Sequence, residues 1–292
     1  MSRIEYQVVH ETIYTYAWQV ANGQHYARLT PRNTVLQEVL WSALEFNPSP
    51  AEICKLRDYF GNHCHIALIQ TPHDSLHVTA TALVRVQPLE LTEEHCLQAW
   101  ESALPPSIYT PEPLDVADMR LATAMTPNLP ESLQMVRRFF TPQRPWLDAM
   151  LDLTRCINTE FAYDPDATDI DTPLSEVFAA KRGVCQDFAH LMLSCLRSLE
   201  LPARYVSGYI LNEPAPGEEK LVGGDASHAW VEAWLPEAGW IGFDPTNGKL
   251  ANIEFVTIGW GRDYNDIAPL RGIVLGGGEH DLDVRVTVTR IS

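Results

Sequence analysis

The chain has 292 residues, of which 46% are hydrophobic and 20% charged, a composition typical of a globular protein with one large or two moderate domains. Its 38 acidic and 21 basic residues give a formal net charge of −17, and no run of Lys or Arg interrupts this acidity. Nucleic acid and anionic membranes would on average repel such a protein, so we expect neither as a partner.

The first residues alternate like a strand, without the basic segment and apolar core of a secretory signal. No apolar stretch approaches the roughly 18 residues needed to cross a bilayer. We therefore expect a cytoplasmic protein. Its six cysteines form no CxxC pair or metal-ligand spacing, and most should be reduced, small buried groups.

The first part of the chain is predicted to form strands. Ile4, Tyr6 and Val8 alternate with polar neighbours, and apolar residues occupy every second position from Leu76 to Val86. A period of two is typical of strands with one buried face. We therefore predict an antiparallel β domain, a sandwich or half-barrel, over residues 1–90.

A change of composition follows this domain. Prolines are concentrated between Ala103 and Leu114, which favours an extended connector. We assign residues 91–130 to a Pro-rich and helical connector and residues 131–292 to a second, catalytic domain. Within the latter, apolar residues recur at helical spacing between Leu147 and Phe161.

The segment after Gly183 is predicted to be a largely buried helix. Cys185 lies in its first turn, where unpaired N–H groups and the helix dipole favour thiolate over thiol. We therefore interpret Cys185 as a nucleophile and Cys195, within the apolar stripe, as a core residue. Asp187, also in the first turn, either complements the dipole or takes part in the site. The stripe consists of Phe188, Leu191, Met192, Cys195, Leu196 and Leu199.

Two antiparallel strands are predicted further on. One begins at His228, and Trp240 to Asp244 forms the return strand, so that His228 and Asp244 meet at one edge of the sheet. Opposite residues share a face, and pairing 228 with 244 centres the turn on 236, which requires an odd-length loop or a bulge. A histidine among tryptophans is by default a packed aromatic, but its pairing with Asp244 favours a catalytic base. The face with the histidine carries His228, Trp230, Glu232 and Trp234.

The motifs GVCQDFAH, SHAWVEAW and GFDPTNG together resemble the three signature blocks of the transglutaminase-like superfamily, whose fold is similar to that of papain-type cysteine proteases. The β-rich first part resembles the N-terminal region of many bacterial members. The resemblance implies an α+β fold, in which an N-terminal antiparallel β domain precedes a catalytic domain with the cysteine helix packed on an antiparallel sheet. It also implies Cys185 as nucleophile, His228 as base and Asp244 as orienting acid, as the residues themselves indicate.

The chain departs from these families at two places. Papain-type enzymes carry an oxyanion-stabilising Gln six residues before the Cys, where this chain has Ala179. The Cys185 backbone N–H is then one expected donor, with Tyr163 or Trp146 as candidates for the second. Large animal transglutaminases are calcium-activated, but the segment Asp164 to Asp171 lacks the central Gly and terminal Glu of a binding loop. We expect neither a metal nor a cofactor.

Three functions are compatible with these residues. The first is a cysteine peptidase or amidase, in which water resolves a thioester formed with a peptide or protein amide. The second is a transglutaminase, which passes a glutaminyl acyl group to an amine. The third is a non-enzymatic interaction protein on the same fold, which the intact Cys185, His228 and Asp244 disfavour. We favour hydrolysis, although a predicted surface loop from Glu213 to Asp225 could admit or exclude a second substrate.

Overall fold

The structure, a computed structural model, describes residues 3–106, 112–211 and 227–291. The predicted loop from Glu213 to Asp225 and part of the Pro-rich connector lie outside these residues. Two antiparallel sheets and a set of helices form the described part of the chain, which confirms the predicted α+β class. None of the helices within these residues is long and apolar enough to cross a bilayer.

The first sheet is built around one strand of 24 residues, β1 (Ile4–Ala27). Its first half pairs with β5 and its second half with β4, so the predicted alternation of apolar residues buries one face along both. Its neighbours in chain order are β2 (Gln37–Asn47), β3 (Glu52–Arg57), β4 (His63–Ile69) and β5 (His73–Val86).

The last two strands of the chain also belong to this first sheet. β13 (Leu270–Gly276) and β14 (His280–Arg290) pair antiparallel with β1, on the side opposite to β4 and β5. Our sequence division placed all of residues 131–292 in the catalytic domain, and in this respect it does not follow the sheets. Pairing between strands so distant in the chain depends on tertiary packing, which local periodicity does not report.

The second sheet carries the motifs, and its strands have the order β11-β10-β9-β8-β12. Each neighbouring pair is antiparallel, as predicted for the strands that carry His228 and Asp244. The strands are β8 (Ala203–Ile210), β9 (Ser227–Leu235), β10 (Gly239–Asp244), β11 (Lys249–Leu250) and β12 (Phe255–Gly261).

The helices lie mainly between the two sheets in sequence. The predicted helix around residues 147–161 is α4, and the predicted cysteine helix is α6. The helices are α1 (Glu93–Leu97), α2 (Leu114–Ala117), α3 (Pro130–Val136), α4 (Trp146–Glu160), α5 (Leu174–Ala180), α6 (Cys185–Arg197) and α7 (Tyr264–Ile267). Two short strands, β6 (Ala162–Tyr163) and β7 (Arg182–Gly183), pair beside the start of α6.

The largest hydrophobic core lies between α6 and one face of the second sheet. The small apolar residues that alternate along β9 form the sheet side of this core, and Cys195 is completely buried within it, as predicted. The first sheet packs against the second near β8 and β12, through a separate cluster that includes Tyr6, Tyr209 and Val256. α6 is therefore held against a sheet that is itself anchored to the N-terminal region.

Candidate active site

Cys185 is the first residue of α6 and is half-buried. The backbone at Val184 is extended, with φ −113° and ψ −178°, so the helix begins abruptly at the cysteine. The first N–H groups of a helix have no partner within it, and they mark the positive end of the helix dipole. The thiol therefore lies at the N-terminus of a helix, as the sequence predicts.

Asp187 holds this helix start in place. Its side chain is 3% exposed, and Oδ2 accepts hydrogen bonds from the Val184 backbone N–H at 2.8 Å and from the Thr168 hydroxyl at 2.6 Å. A Cβ on Gly183 would lie only 2.6 Å from the same oxygen, so only glycine leaves room for this approach. Asp187 therefore caps the turn that carries Cys185, a role more specific than the dipole complement expected from its place in the first turn.

His228 and Asp244 meet as predicted. The imidazole Nε2 lies 2.9 Å from Asp244 Oδ2. Cys185 is among the groups that raise the pKa of the same ring, so its thiol lies near the imidazole. Because Asp244 occupies Nε2, the nitrogen left for the thiol is Nδ1. The structure thus places the thiol near an imidazole that is hydrogen-bonded to a buried carboxylate.

The register between the two strands differs from the predicted one by two residues. Leu235 pairs with Gly239, so the loop has three residues, an odd number as required, but it is centred on 237. Continuing this register places Asp244 opposite Trp230, so that Asp244 and His228 are diagonal neighbours on one face instead of directly opposite. Diagonal neighbours remain within reach of long side chains.

Asp244 is completely buried and fully hydrogen-bonded. Oδ1 accepts from the backbone N–H groups of Thr246 at 2.9 Å and Asn247 at 3.2 Å, and Oδ2 accepts from the Asn247 side chain at 2.6 Å. Burial alone would raise the pKa of Asp244, but the hydrogen bond and charge of His228 and the bonds from Asn247 outweigh it and lower the pKa. The carboxylate is therefore ionised.

The environment of His228 favours its protonated form. Burial by itself would lower the pKa of His228, but hydrogen bonds to Asp244 and Cys185, together with their negative charge, raise it to about 9. An imidazolium beside a sulfur stabilises the thiolate, which is the nucleophilic form. The arrangement therefore places a protonated imidazole near the thiol, with an ionised carboxylate behind the imidazole.

The candidates for the oxyanion hole have different surroundings. Tyr163 pairs with Gly183 across β6 and β7, and burial and the charge of the nearby Cys185 raise its pKa. Trp146 is 1% exposed and packs edge-on against Phe243 at 5.4 Å, which places it in the hydrophobic core. Of the two side chains, Tyr163 is the one whose pKa the charge of Cys185 raises.

Two further residues near the site, Asn247 and Tyr205, are not predicted by the sequence patterns. Asn247 follows Asp244 by three residues in GFDPTNG, and this spacing is the signal of a local side-chain turn that could have identified it. Tyr205 is 2% exposed, and burial, followed by the charge of Cys185, raises its pKa well above the usual value. Its nearness to the thiol depends on the pairing of β8 with β9, for which the sequence offers no local signal.

The aspartate-rich segment before α5 forms local interactions. Asp164 Oδ1 accepts from the backbone N–H of Asp166 at 3.2 Å, and its other oxygen lies 3.4 Å from the guanidinium of Arg182. Within the described residues, no group of three or more His, Cys, Asp or Glu side chains is arranged to hold a metal ion.

Comparison with known proteins identifies the family to which the chain belongs. Residues 134–245 match the transglutaminase-like superfamily, and residues 6–85 match the bacterial transglutaminase-like N-terminal region. The chain is 38% identical to the uncharacterized protein Rv2569c of Mycobacterium tuberculosis (strain H37Rv), over 97% of this chain and 92% of the relative. The chain belongs to the transglutaminase-like superfamily.

Two further similarities concern function and fold. A protein-glutamine gamma-glutamyltransferase of Pseudomonas aeruginosa is 32% identical over 56% of this chain and 25% of its own length. The crystal structure of a candidate cysteine protease from Cytophaga hutchinsonii matches with a TM-score of 0.79 at 20% identity, over 100% of this chain and 92% of that one. The second similarity confirms the predicted fold.

Proposed function

We propose that this protein is a cysteine-dependent enzyme that hydrolyses amide bonds of a peptide or protein substrate through Cys185, His228 and Asp244. The observation that carries the proposal is the hydrogen bond of His228 to the buried Asp244, close to the helix start that carries Cys185. Membership of the transglutaminase-like superfamily supports a thiol-dependent reaction.

The proposed reaction has two halves. His228 holds the proton of the Cys185 thiol while the sulfur attacks the carbonyl carbon of the amide; the C–N bond then breaks and His228 gives the proton to the leaving amine. Water, deprotonated by His228, attacks the resulting thioester; the C–S bond breaks, the thiol regains a proton, and a carboxylic acid leaves. Asp244 holds the imidazole in position and stabilises its charged form in both halves.

Each tetrahedral intermediate carries a negative charge on the former carbonyl oxygen. The backbone N–H of Cys185 is one proposed donor to this oxygen, because the first helical N–H groups lack partners within the helix. The second proposed donor is the hydroxyl of Tyr163, whose pKa the charge of Cys185 raises. Ala179, at the position of the papain-type Gln, offers no side-chain donor.

The second candidate function is transfer of the acyl group to an amine. The similarity to the P. aeruginosa protein-glutamine gamma-glutamyltransferase supports it. The two reactions share the thioester and differ only in the acceptor, so exclusion of water from the site decides between them. A non-enzymatic interaction protein has no need of a thiol, an imidazole and a carboxylate close together, and we place it third.

The test is product analysis with peptide amides and glutaminyl peptides, with and without a millimolar primary amine, using Cys185→Ala as the inactive control. We expect the acid as the main product in both conditions by mass spectrometry. Mostly exchanged amide would reverse the order of the two enzymatic functions. An absence of product, with iodoacetamide labelling Cys185 no faster than the exposed Cys54, would contradict both.

A further inference from the structure

A cavity of about 950 Å³ lies on the face of the second sheet that carries His228. One wall consists of aromatic and charged side chains of the second sheet, including Trp230, Glu232 and Trp234 on β9. The other wall comes from the N-terminal region, through residues 34–37 and 86–90. A volume of this size is typical of sites that enclose a ligand or several side chains of a peptide.

The two walls are fixed to each other by side-chain amides of the N-terminal region. Gln37 donates to the carbonyl of Thr257 at 2.7 Å and accepts from its N–H at 2.8 Å. Asn62 makes the same pair of bonds to Trp260, at 2.7 and 3.0 Å. Because these bonds satisfy backbone groups of the edge strand β12, the cavity is preformed and does not depend on a loose contact between two regions.

Among the described residues, the sheet wall presents indole side chains, and the cation that lines it, Arg204, is paired. The Arg204 guanidinium lies between the indoles of Trp240, at 4.2 Å, and Trp260, at 3.5 Å, and its Nε donates to Glu232 at 2.6 Å. Its charge is thus already paired with the half-buried Glu232. Such a wall favours aromatic or aliphatic groups over a charged ligand.

The cavity adjoins the proposed site at His228. Trp230 and Phe255 both line it, and their ring centroids lie 6.3 and 6.1 Å from that of His228. Cys185 approaches the imidazole from α6, which packs on the opposite face of the sheet. In thiol acyl transfer the acyl half becomes bound to sulfur, whereas the imidazole exchanges the proton with the amine half. A peptide bound across the proposed site would therefore place its amine half toward the cavity.

We propose that this cavity binds the amine-side half of an extended peptide substrate, the part released when the amide is cleaved, through its aromatic or aliphatic side chains. This assignment rests on the proposed function. Trp230 and Trp234 are four residues apart on β9, a span of about 13 Å, which accommodates about four extended substrate residues. The N-terminal region then has a specific role, as the second wall of a substrate subsite.

The test uses the full-length Cys185→Ala protein, so that binding is measured without turnover. The probe is the tripeptide amide Gly-Phe-Leu, a mimic of the amine half, and the control ligand is Gly-Ser-Ser amide. We expect calorimetric titration to show at least tenfold tighter binding of the apolar peptide. Trp234→Ala and Val35→Asp, one change in each wall, should each weaken it at least fivefold, and the exposed Trp18→Ala should leave it unchanged.

Val35 is 89% exposed, so its replacement does not endanger folding and the test remains decisive if Trp234→Ala unfolds. Equal binding of the two peptides, or wall variants that bind like Trp18→Ala, would overturn the assignment of the cavity. That result would leave rapid iodoacetamide labelling of Cys185 in the wild-type protein untouched. Loss of selective labelling with peptide binding intact would instead overturn the proposed function.

Discussion

The two faces of the second sheet differ sharply, although they alternate residue by residue along the same strands. The face under α6 carries Ala229, Val231 and Ala233, which are at most 3% exposed and belong to the main core. The other face carries His228 and Glu232, and it borders a cavity. Because side chains alternate between the two faces, changes on the core face should mainly affect stability, and changes on the other face should mainly affect the proposed reaction.

The largest effect is expected from the residues of the proposed site. Cys185→Ala and His228→Ala should each lower kcat/KM by about 10⁴-fold, because groups that act as one unit fail together, and Asp244→Asn should retain more activity. The measurement is turnover of a peptide amide identified in the product analysis. Cys185→Ala and Asp244→Asn should both keep the fold, as checked by circular dichroism. A triple variant far less active than Cys185→Ala or His228→Ala alone would show that the three residues do not act as one unit.

The face under α6 should respond in stability instead. Leu193 is completely buried in the core between α6 and the sheet, so Leu193→Ala should lower the free energy of unfolding by about 3 kcal/mol. Leu97→Ala, at a residue that is 66% exposed, is the matched control and should change it by no more than about 0.5 kcal/mol. Urea unfolding measures both. If Leu193→Ala unfolded at the same urea concentration as Leu97→Ala, the core face would have no special role in stability.

Local patterns predicted much of the site because its geometry is local. The abrupt start of α6 at Cys185 follows from the sequence order of the apolar stripe, and the shared face of His228 and Asp244 follows from the period of two and an odd-length loop. The exact register does not, because it depends on the turn. Glu237 and Gly239 adopt positive φ angles of 68° and 83°, a turn geometry that centres the loop one residue later than expected.

Contacts between segments that are distant in the chain leave no signal in the local sequence. The pairing of β13 and β14 with β1 joins residues between 243 and 284 positions apart, and no property of the strand Leu270–Gly276 distinguishes one sheet from the other. The same holds for Gln37. Its hydrogen bond to Thr257 cannot be predicted without knowing that the edge strand lies beside it. Long-range pairing is decided by which surfaces remain to be buried, and a local window does not contain that information.

Acid should weaken the contact between the two sheets. His10 of β1 is 2% exposed and lies 2.9 Å from the Tyr209 hydroxyl on β8, and burial lowers the pKa of His10 to about 4. The unfolded chain, with a pKa near 6.5, then binds the proton first, so stability is complete above pH 6.5 and falls as the pH drops toward 4. The loss at pH 5 is about 2 kcal/mol from this residue.

Melting temperatures from pH 7.5 to 5 measure this loss. His10→Gln should show a shallower fall than the wild type, because the titrating group is gone, while the exposed His280→Gln should follow the wild type. His228 has the opposite sign: its pKa of about 9 contributes stability below pH 6.5 that disappears as the pH rises through 9. Equal slopes for His10→Gln and His280→Gln would show that His10 does not titrate in this window.

The smallest effect should come from the Asp187 cap, which we expect to influence both the stability of the protein and the reactivity of Cys185. Asp187→Ala removes the acceptor for Val184 N–H and Thr168, and it should cost about 1 kcal/mol of stability, as for other lost helix caps. Because the same turn positions the thiol, iodoacetamide should label Cys185 several-fold more slowly in this variant under conditions where the protein is fully folded. Asp166→Ala, in the neighbouring exposed loop, is the control and should change neither quantity. Labelling at the wild-type rate in Asp187→Ala would mean that the cap stabilises the helix without positioning its first residue.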